Sequence, residues 1–313
     1  MRRPARTALA SATALLTLSA ALTTSFGSPA SAQVAPPAVT TPRHVMTTLD
    51  QLKETVVPTQ NRLPLVGSVP AGLPLQYGGG AVQVTNTTYA IFWEPPGHAS
   101  SANYKPLVTR WFQDVGGSAL FGTTTQYYQG SGATKQSIQN ISTFGGSYVD
   151  TDPFPAGGIT DAALQAEVTK VIGLKGWPAG NSNQYFVYSG PGGETVSSYC
   201  AYHSYVVVNG VKTPYADEPY GGQPGCTTPS SPNGDPAADS IINTTSHEQW
   251  ETITDPNLGD GWVAASGDEG SDQCNFMFGT ADAGGADVRL NGHPYIVQKE
   301  WSNASSPFGC VMS

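Results

Sequence analysis

The chain has 313 residues, enough for one large domain or two small ones with a sizeable core. Only 12% of its residues are charged, and the formal net charge is −9. Because phosphate neutralisation needs clustered cations, this composition argues against a nucleic-acid-binding protein. The content of 39% hydrophobic and 10% aromatic residues argues against a disordered chain.

Residues 1–32 have the pattern of an export signal. Arginines near the N-terminus precede an uncharged stretch of mainly Ala, Leu and Thr, and Ala30-Ser31-Ala32 is a small-x-small cleavage motif. The uncharged stretch is too short and too weakly apolar for a membrane anchor. We therefore expect a secreted, extracellular protein that has no contact with the membrane once the signal is cleaved.

Residues 33–75 are rich in proline and predict an N-terminal segment that is either a propeptide or an extended arm on the domain. Only residues 46–56 within it have the composition of a short helix. Gly78-Gly79-Gly80 follows this segment, and the main domain is expected to occupy residues 76–313.

Helical and strand patterns alternate through the domain. Amphipathic spacing predicts helices over 104–115, 160–174 and 235–254, with Thr160 and Asp235 as N-caps and Pro236 at the first helical position. Residues 210–226, rich in Tyr, Pro and Gly, predict a loop. Runs of β-branched and aromatic residues predict strands over 81–84, 88–93, 123–129, 147–150, 184–188, 202–208 and 295–300. This order indicates one α+β domain with a mixed sheet.

The most informative motif is Ser-His-Glu-Gln-Trp-Glu at residues 246–251, within the third predicted helix. His247 and Glu251 are four residues apart and therefore share one helix face, where both can reach one divalent ion. Glu248 is turned about 100° from His247 and can face a water molecule beside that ion. The arrangement is that of the HExxH zinc hydrolases with Glu in place of the second His. The alternative is a polar helix face with no ion.

A catalytic zinc site needs a third protein ligand. The loop after the helix offers Asp272 as the first choice and Glu269 as the second, because this loop can fold back and Cys274 would hold it. The alternative for both residues is a solvated turn or a calcium loop. Zn²⁺ is the expected ion, with Ca²⁺ or Mn²⁺ as alternatives.

Four cysteines in an exported chain predict two disulfides. Of the three possible pairings we favour Cys200–Cys226 and Cys274–Cys310, because each pair closes a loop rich in Gly and Pro.

The strand predicted at 202–208 is expected to lie at the sheet edge and to pair with an extended substrate. His203, with Tyr202 beside it, is a candidate for binding the substrate or the ion. The alternative for His203 is a hydrogen-bonded structural role.

The blocks Thr245-Ser246-His247-Glu248-x-x-Glu251-x-x-Thr254-Asp255-Pro256 and Glu269-x-x-Asp272-x-Cys274, with Gly261-Trp262 between them, resemble a signature of secreted actinobacterial proteins and of the plant EXORDIUM-like (phosphate-induced) family. The block Cys200-Ala201-Tyr202-His203 is similar to a second part of that family. The chain departs from the signature at Gly270-Ser271, where a more apolar pair is expected. The resemblance implies a zincin-like fold with a metal-binding helix and supports the metal site more than any particular reaction.

Together these patterns predict a monomeric, disulfide-linked, zincin-like metallopeptidase that acts on peptides or proteins. His247, Glu251 and Asp272 or Glu269 would hold the ion, and Glu248 would be the general base. One alternative is a non-catalytic extracellular binding protein, related to the cell wall or to growth, with a structural metal. Another is a glycosidase using Glu248 and Glu251, which would flank a sugar poorly from one helix.

Overall fold

The structure of the protein is a computed structural model that describes residues 44–48, 72–194, 196 and 198–313. Contacts divide the chain into Met1–Val39 and Thr40–Ser313, and every described residue belongs to the second unit. The expected signal at 1–32 and most of the 33–75 segment lie outside the described residues.

A six-stranded mixed sheet forms the centre of the domain, in agreement with the predicted α+β class. In spatial order the strands are β1 (His44–Met46), β8 (Ala201–Val208), β9 (Val211–Glu218), β7 (Asn183–Ser189), β3 (Asn86–Trp93) and β6 (Ser142–Asp150). The four strands from β9 to β6 are parallel, β8 runs antiparallel to β9, and β1 runs antiparallel to β8.

In the described part of the chain, four α-helices accompany the sheet: α1 (Tyr104–Val115), α2 (Ala119–Gly122), α3 (Asp161–Lys175) and α4 (Pro236–Thr254). The expected caps are confirmed, because the side chain of Thr160 accepts from the N–H of Ala163 and that of Asp235 accepts from the N–H of Ala238. Gly176 ends α3 in the left-handed conformation, with φ of 64°.

The alternation of side chains along β3 separates two cores. Ala90 and Phe92 point to the face that α1 and α4 cover, where Trp111 and Trp250 belong to the same buried cluster. Tyr89, Ile91 and Trp93 point to the opposite face, which α3 covers. The metal-motif helix α4 is thus packed inside the larger of the two cores.

Small two-stranded sheets complete the fold. They pair β2 (Gln76–Tyr77) with β10 (Trp262–Val263), β4 (Tyr128–Gln129) with β5 (Gln136–Ser137), β11 (Val288–Leu290) with β12 (His293–Tyr295), and β13 (Glu300–Ser302) with β14 (Gly309–Val311). Short 3-10 helices span Thr123–Gln126, Gly132–Thr134 and Asp272–Cys274.

Several predicted elements were wrong. Residues 81–84 form no strand, and residues 46–48, expected to begin a helix, lie at the end of β1 and just beyond it. The segment 123–129 begins with a 3-10 helix, because the hydroxyls of Thr123, Thr124 and Thr125 donate to carbonyls three residues earlier, each at 2.8 Å.

The loop expected at 210–226 contains the inner strand β9. Pro214 made a strand unexpected in this segment, because proline lacks the N–H that an inner strand uses for pairing. The β7–β9 pairing begins only at Tyr185 and Tyr215, so Pro214 needs no donor toward β7.

Both expected disulfides, Cys200–Cys226 and Cys274–Cys310, are formed. Within the described part of the chain, none of the helices has the length and apolar character needed to cross a membrane.

Candidate metal centre

The motif helix α4 is buried on all sides. Every residue from Ala238 to Thr254 is buried, although many of them are polar. The side chains of His247, Glu248 and Glu251 have no exposed surface. Burying ionisable groups is costly unless each finds a compensating partner, so α4 is stable only if its neighbours supply those partners.

The imidazole of His247 faces two carboxylates with one nitrogen. Nε2 of His247 lies 3.2 Å from Oε1 of Glu251 and 3.5 Å from Oδ1 of Asp272. Among the residues that the structure describes, these three form one of two groups whose ligand atoms are close enough to hold one ion. The helix spacing of four brings the first pair together, and the loop after α4 brings the third residue.

Gln298 sets the orientation of the His247 ring. The amide nitrogen of Gln298 donates to the carbonyl of Ser271 at 2.8 Å, so its oxygen Oε1 is directed at Nδ1 of His247, 3.4 Å away. Nδ1 therefore carries the proton of the neutral ring, and the lone pair of Nε2 points at the two carboxylates. A lone pair facing carboxylate oxygens is repulsive without a cation between them, and either a proton or a metal ion can fill that role.

Asp272 is held in place by its own backbone and by a disulfide. Its N–H donates to Oε1 of Glu251 at 3.1 Å. It begins the 3-10 helix that ends at Cys274, and Cys274 is bonded to Cys310. The Asp272 side chain keeps 15% of its surface exposed, in contrast to its partners.

A second histidine joins the centre from strand β8. Nδ1 of His203 lies 3.2 Å from Oε2 of Glu248 and 3.6 Å from Oε2 of Glu251. Its Nε2 lies 3.6 Å from Oε2 of Glu269. His203, Glu248 and Glu251 form the second group able to hold an ion. Glu251 therefore belongs to both groups, with one oxygen toward each histidine.

Burial makes the surrounding carboxyl groups hard to ionise. It raises the pKa of Glu248 well above its ordinary value, although the nearby His247 opposes this. Burial also raises the pKa of Glu300, against a hydrogen bond from Ser271, and that of Glu218 to about 8, against a hydrogen bond from Thr244. For His247, burial lowers the pKa, but the carboxylates of Glu251 and Asp272 outweigh it and the pKa is raised. The site thus favours a positive charge at Nε2 of His247.

The donor set fits a divalent cation. Around His203 and His247 stand four carboxyl groups, those of Glu248, Glu251, Glu269 and Asp272. A tetrahedral ion about 2.0–2.2 Å from its ligands places those ligands roughly 3.3–3.6 Å apart, close to the separations from Nε2 of His247. One nitrogen and two carboxylate oxygens suit Zn²⁺ and also admit harder ions such as Mn²⁺.

The structure brings most of the sequence-predicted site residues together. Asp272 approaches His247 and Glu251, whereas Glu269 approaches His203. Tyr202 is a correction: successive strand residues face opposite sides of a sheet, so its side chain lies across the sheet from His203 and donates to Oδ1 of Asp161 at 2.9 Å. It does not reach the centre.

Sequence reasoning missed three supporting residues, Ser271, Gln298 and Glu300. Oγ of Ser271 donates to Oε2 of Glu300 at 2.7 Å and also contacts the carbonyl of His247 at 3.2 Å. Ser271 occupies the position where the resemblance led us to expect a more apolar residue. The only available signal was a polar pair, Gln298 and Glu300, in a segment that otherwise predicts a strand.

Comparisons with known proteins give no relative of this chain: no family model, curated protein or solved structure matches it. The similarity to the EXORDIUM-like signature therefore stays a prediction. Any assignment of function has to rest on the side chains of the candidate metal centre and on the sheet edge beside it.

Proposed function

We propose that the protein is an exported, zincin-like, metal-dependent peptidase. His247, Glu251 and Asp272 would hold the divalent ion, with Glu248 as the general base. The observation that carries the proposal is the convergence on Glu251: its Oε1 lies 3.2 Å from Nε2 of His247 and 3.1 Å from the N–H of Asp272. A helix and a separate loop thereby supply the ligand types of a catalytic zinc site.

A divalent ion bound at these residues would polarise a peptide carbonyl and acidify a water molecule. Glu248 would accept a proton from that water and pass it to the departing amine. Burial raises the pKa of Glu248, so this carboxyl holds a proton more readily than an exposed glutamate, as a group that passes a proton on requires. His203 would orient Glu248 through the 3.2 Å contact between Nδ1 and Oε2.

A peptide is the substrate class that the neighbouring sheet edge favours. Strand β8 carries His203 and lies antiparallel to the parallel part of the sheet. The strand β1 lies outside β8 and pairs with residues 201–203, so this side of β8 already accommodates an extended chain segment. An extended peptide can add to such an edge through main-chain hydrogen bonds.

A second candidate function is a binding protein with a structural metal. The observation that favours it is complete burial, since His203, His247, Glu248, Glu251 and Glu269 have no exposed surface. A structural site is closed, whereas a catalytic site keeps a position for substrate and water. The peptidase requires that the centre open to substrate and water, whereas the binding protein requires no opening.

Metal analysis combined with a peptide-library digest tests the proposal. Freshly purified protein should hold about one equivalent or more of Zn²⁺, Mn²⁺ or Ca²⁺ and should cleave peptides, and Glu248→Gln should keep the ion but lose cleavage. A stoichiometric ion without cleavage, even after the N-terminal segment is proteolytically cut, would favour the structural metal. Protein with no bound ion, which also fails to bind added Zn²⁺, would refute both candidates.

A further inference from the structure

The strand β1 covers the edge of β8 beside His203. The two strands pair antiparallel, with His44 opposite His203, Val45 opposite Tyr202 and Met46 opposite Ala201. The N–H of Cys200 donates to the carbonyl of Met46 at 2.9 Å. A short piece of the N-terminal segment is therefore attached by main-chain hydrogen bonds at the position that an extended peptide would take.

Side chains fix this segment at two further points. Met46 is fully buried in a cluster with the Cys200–Cys226 disulfide, and Phe276 packs against the same cluster. Nδ2 of Asn275 contacts both the carbonyl and the hydroxyl oxygen of Thr47, each at 3.1 Å. Two successive residues, Met46 at the end of β1 and Thr47 just after it, thus use an apolar pocket and a polar contact, in addition to the main-chain pairing.

The residues that hold β1 are connected to the metal centre. The N–H of Phe276 lies 3.4 Å from Oε1 of Gln298, the same atom that faces Nδ1 of His247. His203 takes part in both places, since its backbone pairs with β1 and its side chain contacts Glu248. Gln298 and His203 therefore link the residues that hold β1 to those of the candidate metal centre.

We propose that residues 44–48 are a built-in, substrate-like strand that closes the candidate active site, and that the same edge of β8 binds an extended peptide with a methionine-sized apolar side chain. This inference rests on the proposed peptidase function. It gives a reason for the complete burial of His203, because β1 covers the part of β8 that carries this residue. It also assigns a pocket: the surface of Cys200–Cys226 and Phe276 that receives Met46 would receive the corresponding substrate residue.

The test uses the full-length secreted chain and a dye-labelled peptide with the sequence of residues 42–50. In the unaltered chain β1 competes with the peptide from within the same molecule, at a high effective concentration. Met46→Asp places a carboxyl in the apolar pocket, which costs more than the 1.4 kcal/mol that corresponds to a tenfold change. Fluorescence anisotropy should therefore show labelled peptide binding at least about tenfold more tightly to Met46→Asp than to the unaltered chain.

Two controls accompany this measurement. Ile141→Asp adds the same charge at a half-exposed position beside β6, at the other end of the sheet, and should leave peptide binding unchanged. A labelled peptide whose methionine is replaced by aspartate should not bind to any form. Met46→Gly, which removes the side chain without adding a charge, serves if Met46→Asp does not fold.

The outcomes separate the two proposals. Equal peptide binding by the unaltered chain and by a folded Met46 variant would overturn the inference that β1 occupies a peptide site. The metal content of the same samples reports on the candidate metal centre: absence of any ion, together with failure to bind added Zn²⁺, would overturn the proposed function whatever the peptide does. Release of the ion to a chelator should be faster from Met46→Asp, because the buried centre is then open.

Discussion

Nδ1 of His203 and Oε2 of Glu248 lie 3.2 Å apart, although 45 residues separate them along the chain. His203 belongs to the antiparallel strand β8, and Glu248 to the central helix α4. The contact joins β8, the strand next to the sheet edge, to the candidate metal motif, so a shift of β8 would displace the side chain that contacts the candidate general base.

Exchanging Glu248 for Gln should separate proton transfer from ion binding. Glu248→Gln is expected to retain the ion and to lower turnover by about 10²–10⁴-fold, the usual contribution of a general base. His247→Ala should lose the ion, because it removes the nitrogen ligand. Elemental analysis and peptide cleavage measured on the same preparations check this. Unchanged cleavage by Glu248→Gln would disprove the assigned base.

Asp272 and Glu269 provide a matched pair for identifying the third ligand. Asp272→Asn should weaken Zn²⁺ binding strongly, since Asp272 lies 3.5 Å from Nε2 of His247. Glu269→Gln should weaken it by a smaller factor, because Glu269 contacts His203 instead. Isothermal titration with Zn²⁺ after removal of bound metal measures both. If the order of the two effects is reversed, Glu269 and not Asp272 completes the site.

Removing the ion should destabilise the fold. An ion that binds only the folded chain adds about 2.7 kcal/mol when present at 100 times its Kd. The melting temperature of the purified protein should therefore fall in chelator and recover when Zn²⁺ is returned. Glu251→Gln is the control, since a chain without the shared ligand should show little response to either treatment.

The Cys274–Cys310 disulfide should support both stability and the ion site. Replacing both cysteines by serine should cost about 2–5 kcal/mol of unfolding free energy. It should also weaken Zn²⁺ binding, because Cys274 closes the short helix that begins at Asp272. Denaturant melts and Zn²⁺ titration test the two effects. Stability lost with unchanged Zn²⁺ affinity would show that Asp272 is positioned without the disulfide.

Glu167, on the helix α3 that covers the other face of the sheet, predicts a pH dependence of stability outside the candidate metal centre. Burial, followed by the neighbouring Asp150, raises the pKa of Glu167 to about 8, although Lys170 opposes this. The unfolded chain loses this proton near pH 4.5 and the folded chain near pH 8, so the contribution of Glu167 falls as pH rises between these values.

Between pH 5 and pH 8, the melting temperature of Glu167→Gln should consequently fall less than that of the unaltered chain. Each kcal/mol of difference in unfolding free energy corresponds to about 2–4 °C in melting temperature. Asp152→Asn is the matched control, because the exposed Asp152 contacts the same Lys170 at 3.1 Å. Parallel pH slopes for the unaltered chain and Glu167→Gln would contradict the assignment.

Local signals in the sequence predicted helices better than strands. Thr160, Asp235 and Pro236 mark helix starts through their own chemistry, and the structure has helices there. The run Thr123-Thr124-Thr125 has strong strand propensity, yet its hydroxyls bond to the preceding turn. Strand propensity does not include such hydroxyl–carbonyl hydrogen bonds, so it did not indicate the 3-10 helix.

The candidate site was predictable in part, because some of its residues are related by local helix geometry. His247, Glu248 and Glu251 lie on one helix, so their relation follows from helix geometry. His203 was a candidate from its strand, but its contacts with Glu248 and Glu269 depend on the tertiary fold. Gln298 comes from a distant segment, and no spacing in the sequence connects it to His247. The strand β1 was likewise unpredicted, because its stability depends on the edge it pairs with.

The helix α4 has no solvent-facing side, since each of its residues from Ala238 to Thr254 is buried. Most helices tolerate substitution along an exposed face, and neutral substitutions accumulate at those exposed positions. In α4 the residues that would hold the ion and those that fill the core lie on the same buried helix. Nearly any replacement there therefore alters packing, a hydrogen bond or the candidate centre. Directed evolution of this protein would therefore have to vary the loops and strands that approach α4, and leave the helix itself untouched.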